Sequence, residues 1–166
     1  MPPRVCIVSP DAAFARSIGS RLEGWGHTVS LELDYRRVTP SFLEEERVDV
    51  VLLAVGSLEE GALRWLASVK QALPALEVVL LNLAGEVAIS IEGMRAGASQ
   101  ELSAPFDLSK LRSALRAALR RRRKQAGRPR PSLSHRFGRA MAAAAFAEAG
   151  EPGTALQILE DDEEGT

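Results

Sequence analysis

The chain is poor in the residues that carry most protein chemistry. One cysteine, Cys6, and two histidines, His27 and His135, stand among 166 residues. A single thiol closes no intrachain disulfide and makes no metal site, so Cys6, inside an apolar run, reads as a buried structural residue. The two histidines lie far apart, without paired acids or a second cysteine at ligand spacing. Zinc and a Ser-His-Asp arrangement therefore find no support, and a plain surface histidine is the simpler reading. Aromatic residues are scarce at 5%. No apolar run approaches the ~20 residues of a membrane span, and Met1-Pro2-Pro3-Arg4 opens onto no signal-peptide core. The expectation is a cytoplasmic protein with no membrane association. Val8-Ser9-Pro10-Asp11-Ala12 lacks the glycines that let a backbone approach a pyrophosphate. Neither a cofactor nor a metal is expected.

What the chain does have is an ordinary apolar content of 46% and a strong charge asymmetry hidden under a net charge of −1. Lys110 to Arg139 holds 12 basic residues and no acid, whereas Glu148 to the end holds 7 acids and no base. An acidic N-terminal part, a basic segment and an acidic tail follow one another, a pattern of interaction segments more than of catalysis. The length suits one domain with a real core and a modest extension.

Asp49-Val50-Val51-Leu52-Leu53-Ala54-Val55, closed by Gly56, reads as a strand buried on both faces. Elements alternate around it. Arg4 to Val8 is a first strand, and Asp11 caps a helix from Ala12 to about Glu23 with Phe14, Ile18 and Leu22 on one stripe. His27 to Leu33 alternates like an edge strand, and Val38 to Arg47 is a weaker helix with Pro40 in its first turn. Leu58 to Leu73 is helical until Pro74. Val78 to Asn82 is a fourth strand, Val87 to Arg95 a helix, and Ala98 to Leu102 a short fifth strand. Asp107 caps a long last helix with Leu108, Leu111, Leu115 and Leu119 inward. Five strands alternating with five helices predict an α/β domain with a five-stranded parallel sheet, doubly wound, over residues 1–124. In such a sheet chemistry sits outside the carboxyl ends of the strands. At the end of the central strand that place is held by the methyl of Ala54.

Beyond Lys124 the composition changes. Residues 125–133, with Gly127, Pro129 and Pro131 among basic residues, read as a linker, and residues 134–166 as a helical extension with an acidic tail. Ala144 to Leu159 resembles the middle of a tetratricopeptide repeat. Half a repeat cannot bury its own face, so Phe146, Leu156 and Leu159 need something to pack on. An alanine-rich hairpin of no specific function is the alternative. The tract Arg120-Arg121-Arg122-Arg123-Lys124 could bind nucleic-acid phosphates. It could equally be a solvated helix end or meet acids of this chain or of a partner. No helix-turn-helix and no aromatic stacking surface accompanies it.

Val78-Val79-Leu80-Leu81-Asn82, then Glu92-Gly93-Met94-Arg95-Ala96-Gly97-Ala98, then Ala104-Pro105-Phe106-Asp107 resemble the receiver domain of bacterial response regulators, a flavodoxin-like α/β fold. The likeness covers about Arg4 to Leu119. It implies functional positions one by one. The magnesium-holding acidic pair falls on Ser9 and Pro10, with Asp11 the only nearby acid, and the phosphoacceptor falls on Ala54. The switch hydroxyl falls on Asn82, the phosphoryl-contacting lysine on Ala104, and the aromatic switch residue on Glu101. An acyl phosphate needs a carboxylate nucleophile, which Ala54 lacks, and protein-bound magnesium normally uses carboxylates. Ser9, Ser57 and Ser103 are nearby hydroxyls that a separate kinase could modify, with no second feature pointing to it. The expectation is a degenerate pseudo-receiver: a non-catalytic two-component signalling module that binds a partner protein, or a second copy of itself, without phosphorylation. The resemblance places the partner surface near Arg95, Gln100, Glu101, Lys110 and Arg112. The alternative is a nucleic-acid-associated regulator working through the arginine tract.

Overall fold

The computed structural model describes residues 1–57 and 60–127. The strands are β1 (Arg4–Val8), β2 (Thr28–Glu32), β3 (Val50–Val55), β4 (Glu77–Asn82) and β5 (Gln100–Ser103), of which β1, β3 and β4 are mainly apolar and rich in valine. They make one all-parallel sheet in the order β2-β1-β3-β4-β5. Between them run α1 (Ala12–Gly24), α2 (Pro40–Glu45), α3 (Glu60–Ala72), α4 (Val87–Arg95) and α5 (Leu108–Ala126). Every residue of β3 and β4 is buried, as a strand covered on both faces requires.

The period of two along each strand sorts the core into two layers. Cys6, Val51, Leu53, Val78 and Leu80 pack with Leu43 of α2, Leu66 of α3 and Ile89 of α4. Val5, Ile7, Val50, Leu52, Val79 and Leu81 pack with Ile18 and Leu22 of α1 and with Leu111, Leu115 and Leu119 of α5. Each fully buried aliphatic side chain contributes roughly 1.5–3 kcal/mol, so these two layers are the main stabilising term. Gly93 lets α4 approach the sheet, because a Cβ there would run into the Leu80 side chain. Burial pushes the Cys6 thiol up to about 11, so it is neutral at pH 7.

The helix starts are set by side-chain caps. Asp11 Oδ1 accepts the Phe14 N–H at 3.0 Å, Thr39 Oγ1 the Phe42 N–H at 3.1 Å, and Asp107 Oδ1 the Lys110 N–H at 2.8 Å. Thr39 explains why α2 begins at Pro40 and not at Val38. The preceding Tyr35–Arg37 forms a separate 3₁₀ turn capped by Asp34. The fourth strand starts one residue earlier than its apolar run, at Glu77, and α5 continues to Ala126. The readings that fall on residues 128–166, including Phe146, Leu156 and Leu159, lie outside the described residues.

Candidate functional site

The strands deliver the candidate positions to one edge. Val55 pairs with Asn82 and Asn82 with Ser103, while Val8 pairs with Leu53, so Ser9, Ala54, Asn82 and Ala104 share the carboxyl end of the sheet. The Ala104 N–H donates to the Asn82 carbonyl at 2.9 Å, and the Ala104–Pro105 peptide is cis. Ser9 is fully buried, and its Oγ accepts the Asp11 N–H at 3.2 Å. Pro10 is exposed beside it. Asp11, the acid nearest the expected ion position, is engaged as the α1 cap. Ala54 is only 4% exposed and offers no donor, acceptor or nucleophile.

Asn82 is the centre of a polar network. Its buried amide donates to the Glu86 carbonyl at 2.8 Å and to Ser90 Oγ at 2.9 Å, while its Oδ1 accepts the Gly85 N–H at 3.0 Å. Gly85 has φ +68, a conformation that favours glycine, and an added Cβ would lie 3.0 Å from the Ala104 carbonyl. Ser90 Oγ donates to Glu101 Oε1 at 2.7 Å, and Ser103 Oγ donates to the same carboxylate oxygen. Asn82 and Glu101, which the receiver resemblance expects at switch positions, are thus joined through Ser90 and Ser103 into one network. Ser90 is a member that local sequence pattern does not reveal. Its place eight residues after Asn82, about one turn into α4, is the only hint.

Beside Ala54 lies a cleft of about 300 Å³ lined by Val8, Pro10, Leu53, Ala54 and the Asp34–Arg36 turn. Asp34 is a second acid at this edge that the sequence reading passed over, although it stands just past the end of β2. Its carboxylate is held by Arg36 at 2.9 Å, and the Arg36 side chain and backbone N–H keep its pKa below the usual range. Among the described residues no three His, Cys, Asp or Glu side chains gather so as to hold a metal ion. The edge presents a methyl, a capped acid and a paired acid.

The residues expected on a partner surface do not all meet. Arg95 pairs with Glu92 at 3.1 Å, Gln100 Oε1 lies 3.5 Å from Arg121 Nη2, and Glu101 belongs to the network above. Lys110 is exposed in the first turn of α5. Arg112 departs from this group: its guanidinium sits 5.3 Å from the Trp25 ring centroid, on the side of α5 that faces the end of α1. One residue either side of the buried Leu111, Lys110 and Arg112 are ~200° apart around the helix. An apolar stripe on α4 is an addition the sequence reading did not contain: Val87, Ile91 and Met94 are 72%, 47% and 48% exposed. Their spacing of four and three residues puts them on one face.

The arginine tract also divides. Arg121 Nε donates to Glu77 Oε2 at 2.9 Å, and that carboxylate is almost wholly buried at 3% exposure. Arg122 Nη1 lies 3.5 Å from the Ala75 carbonyl. Arg120, Arg123 and Lys124 are exposed and have no acidic partner among the described residues. Among those residues no helix is long and apolar enough to cross a membrane.

No protein-family model matches the chain. It is similar to the transcriptional regulatory protein ZraR of Salmonella typhimurium, 27% identical over 130 residues, which is 78% of this chain and 29% of that protein. It is also similar to the response regulator MprA of Mycolicibacterium vanbaalenii, 30% identical over 121 residues, covering 73% of this chain and 52% of the relative. The chain therefore spans between about a third and about a half of the length of these relatives. Among solved structures, a CheY-like response regulator receiver domain protein from Methanospirillum hungatei matches with a TM-score of 0.67 at 18% identity, over 75% of this chain and 99% of that one. The described residues have the flavodoxin-like, CheY-type receiver fold.

Proposed function

We propose that this receiver-type module of two-component descent signals by docking to a partner protein, without phosphoryl transfer. The observation that carries the reading is Ala54 at the end of the central strand, in the place where the fold would present its carboxylate nucleophile. The neighbouring positions support it. Ser9 and Pro10 supply no carboxylate, Asp11 caps α1, and Ala104 supplies no cation. Arg36 is the one cation lining the cleft beside Ala54, and it is paired with Asp34, so a transferring phosphoryl group would have little at this edge to offset its charge. The same absence of a convergent nucleophile, acid and base argues against an enzyme.

Asn82 and Glu101 take the reading one step further. A switch works when its two arrangements differ by a few kcal/mol. Here Asn82 and Glu101 are hydrogen-bonded to Ser90 and Ser103, and each charge-assisted bond contributes about 1.5–3 kcal/mol. The α4–β5 face is thereby held in one arrangement, ready to dock whether or not phosphate is present. On it the apolar stripe of Val87, Ile91 and Met94, edged by Arg95, Gln100, Glu101 and Lys110, has the apolar centre and polar rim of a protein interface. The partner is a protein, a second copy included. Incubation with acetyl phosphate and magnesium, followed by intact mass, is expected to give no acid-labile adduct. A stoichiometric adduct would overturn the reading.

A further inference from the structure

The opposite end of the sheet carries the least satisfied charge among the described residues. There the last three turns of α5 pass the amino ends of the strands and the Trp25–His27 turn that follows α1. A groove of about 540 Å³ lies between them, with Arg116, Arg120 and Arg123 on one wall and Pro3, Trp25 and Leu119 as its apolar lining. A second cleft of about 290 Å³ shares Pro3, Leu119 and Arg123 with it and adds Arg4, Arg47 and Arg122. Asp49 is the only acid lining either cleft, and its Oδ2 accepts the Arg4 backbone N–H at 2.9 Å. His27 adds no charge at pH 7, because burial first, and then nearby Arg112, hold its imidazole below the usual value. The buried atoms His27 Nδ1 and Arg122 Nε, one in each cleft, have no hydrogen-bond partner among the described residues.

The spacing of the arginines is regular. Arg116, Arg120 and Arg123 follow at four and three residues, so they form one stripe with steps of about 6 and 4.5 Å along the helix. None of the three has an acidic partner among the described residues. Unpaired like charges side by side repel one another and keep no stability benefit, so the stripe is an electrostatic debt that an anionic ligand would relieve. Arg47 points the same way. It stands just after α2 with φ +51, a left-handed conformation that glycine or asparagine adopts more cheaply, yet it is an arginine lining this surface.

We infer that this groove is a docking site for an acidic, amphipathic segment of a partner protein, with carboxylates on Arg116, Arg120 and Arg123 and an apolar side chain against the half-buried Pro3 and Trp25. Carboxylates at positions i, i+4 and i+7 of a helix repeat the steps of the arginine stripe. The apolar lining favours this occupant over nucleic acid, whose charged backbone offers only small sugar C–H groups to such a surface. Trp25 already carries the Arg112 guanidinium, which leaves it a poor platform for bases. No residue of α4 or β5 lines this groove, so the site does not depend on the reading of the α4–β5 face.

The test uses the full chain and a fluorescein-labelled helical peptide of about 18 residues, five turns long, with glutamates at i, i+4 and i+7 and leucines on the adjoining face. Fluorescence anisotropy is expected to show saturable binding that weakens as salt rises. The triple variant R116E/R120E/R123E is expected to lose at least about tenfold in affinity with unchanged circular dichroism. R64E, an exposed arginine on α3, is expected to bind as the parent does. If the triple variant fails to fold, R120E alone at its exposed position carries the test with a smaller loss. The inference is overturned if the peptide does not bind, if the reversed charges leave its affinity unchanged, or if a DNA duplex binds more tightly than the peptide through the same arginines.

Discussion

The two ends of this parallel sheet differ in how their polar groups are satisfied. At the carboxyl end, where α/β folds place their chemistry, Asp11 is tied to the α1 backbone, Asp34 to Arg36, and Asn82 and Glu101 to Ser90 and Ser103. At the amino end, one arginine, Arg121, closes the buried carboxylate of Glu77, while Arg116, Arg120 and Arg123 are exposed with no acidic partner among the described residues. The carboxyl end holds hydrogen-bonded polar groups, and the amino end holds arginines with no acidic partner among the described residues. A fold can keep its architecture while the surface available for interaction changes ends, because core packing and site chemistry depend on different residues.

The largest expected effect comes from restoring a carboxylate at the carboxyl end. Ala54→Asp places a charge at a position 4% exposed, beside a cleft whose one arginine, Arg36, is already paired with Asp34. A loss of about 3 kcal/mol in urea unfolding at pH 7 is expected, shrinking as pH falls and the new carboxyl is protonated. A stable variant that binds magnesium would break the contrast between the two ends. Cys6, between the ends, provides a pH-dependent reference. Its thiol ionises near 9.0 when unfolded and at about 11 when folded. The folded state therefore binds the proton more tightly, and the stability it lends is complete below pH 9.0 and lost as pH rises through about 11. The loss reaches roughly 3 kcal/mol at most, and Cys6→Ala is expected to remove that part of the alkaline decline.

Asn82→Ala leaves the Gly85 N–H without its acceptor and the Glu86 carbonyl and Ser90 Oγ without their donor, while Ser90 and Ser103 keep Glu101. A loss of about 2 kcal/mol is expected in the same unfolding measurement, together with faster amide exchange in α4. At the amino end the neighbouring arginines separate cleanly. Arg121→Ala strands the buried Glu77 carboxylate and is expected to cost about 2 kcal/mol, below the ~3–5 kcal/mol of a fully buried pair because Arg121 is partly exposed. Arg120→Ala is expected to stay within about 0.5 kcal/mol. Equal losses at the two positions would remove the distinction between a structural and an uncommitted arginine. The smallest effect is a gain: Arg47→Gly relieves the left-handed backbone at φ +51 and is expected to raise stability by about 1 kcal/mol.

The sequence carries the sheet and its emptied tip clearly, because both depend on short-range pattern. The apolar run Val50–Val55, the Asp11 and Asp107 caps and the place of Ala54 are all read from neighbouring residues. The boundaries slip where a side chain decides them, as at Thr39, which starts α2 at Pro40. What stays hidden is the pairing of distant residues. Glu77 looks like a solvent-facing acid before a strand until Arg121, 44 residues on, is seen to bury it. Arg112 looks like a neighbour of Lys110 until α5 is seated and the two point to opposite sides. The network joining Asn82, Ser90, Glu101 and Ser103 spans three elements, and no periodicity of one element announces it.

The central claim is that the carboxyl end neither accepts a phosphoryl group nor changes arrangement in response to one. Amide spectra of the full chain recorded with and without magnesium and beryllium fluoride, a mimic of the aspartyl phosphate, test it directly. Unchanged resonances for Ser9, Ala54, Asn82, Ser90 and Glu101 are the predicted result. Saturable shifts at those residues, spreading into α4, would contradict it.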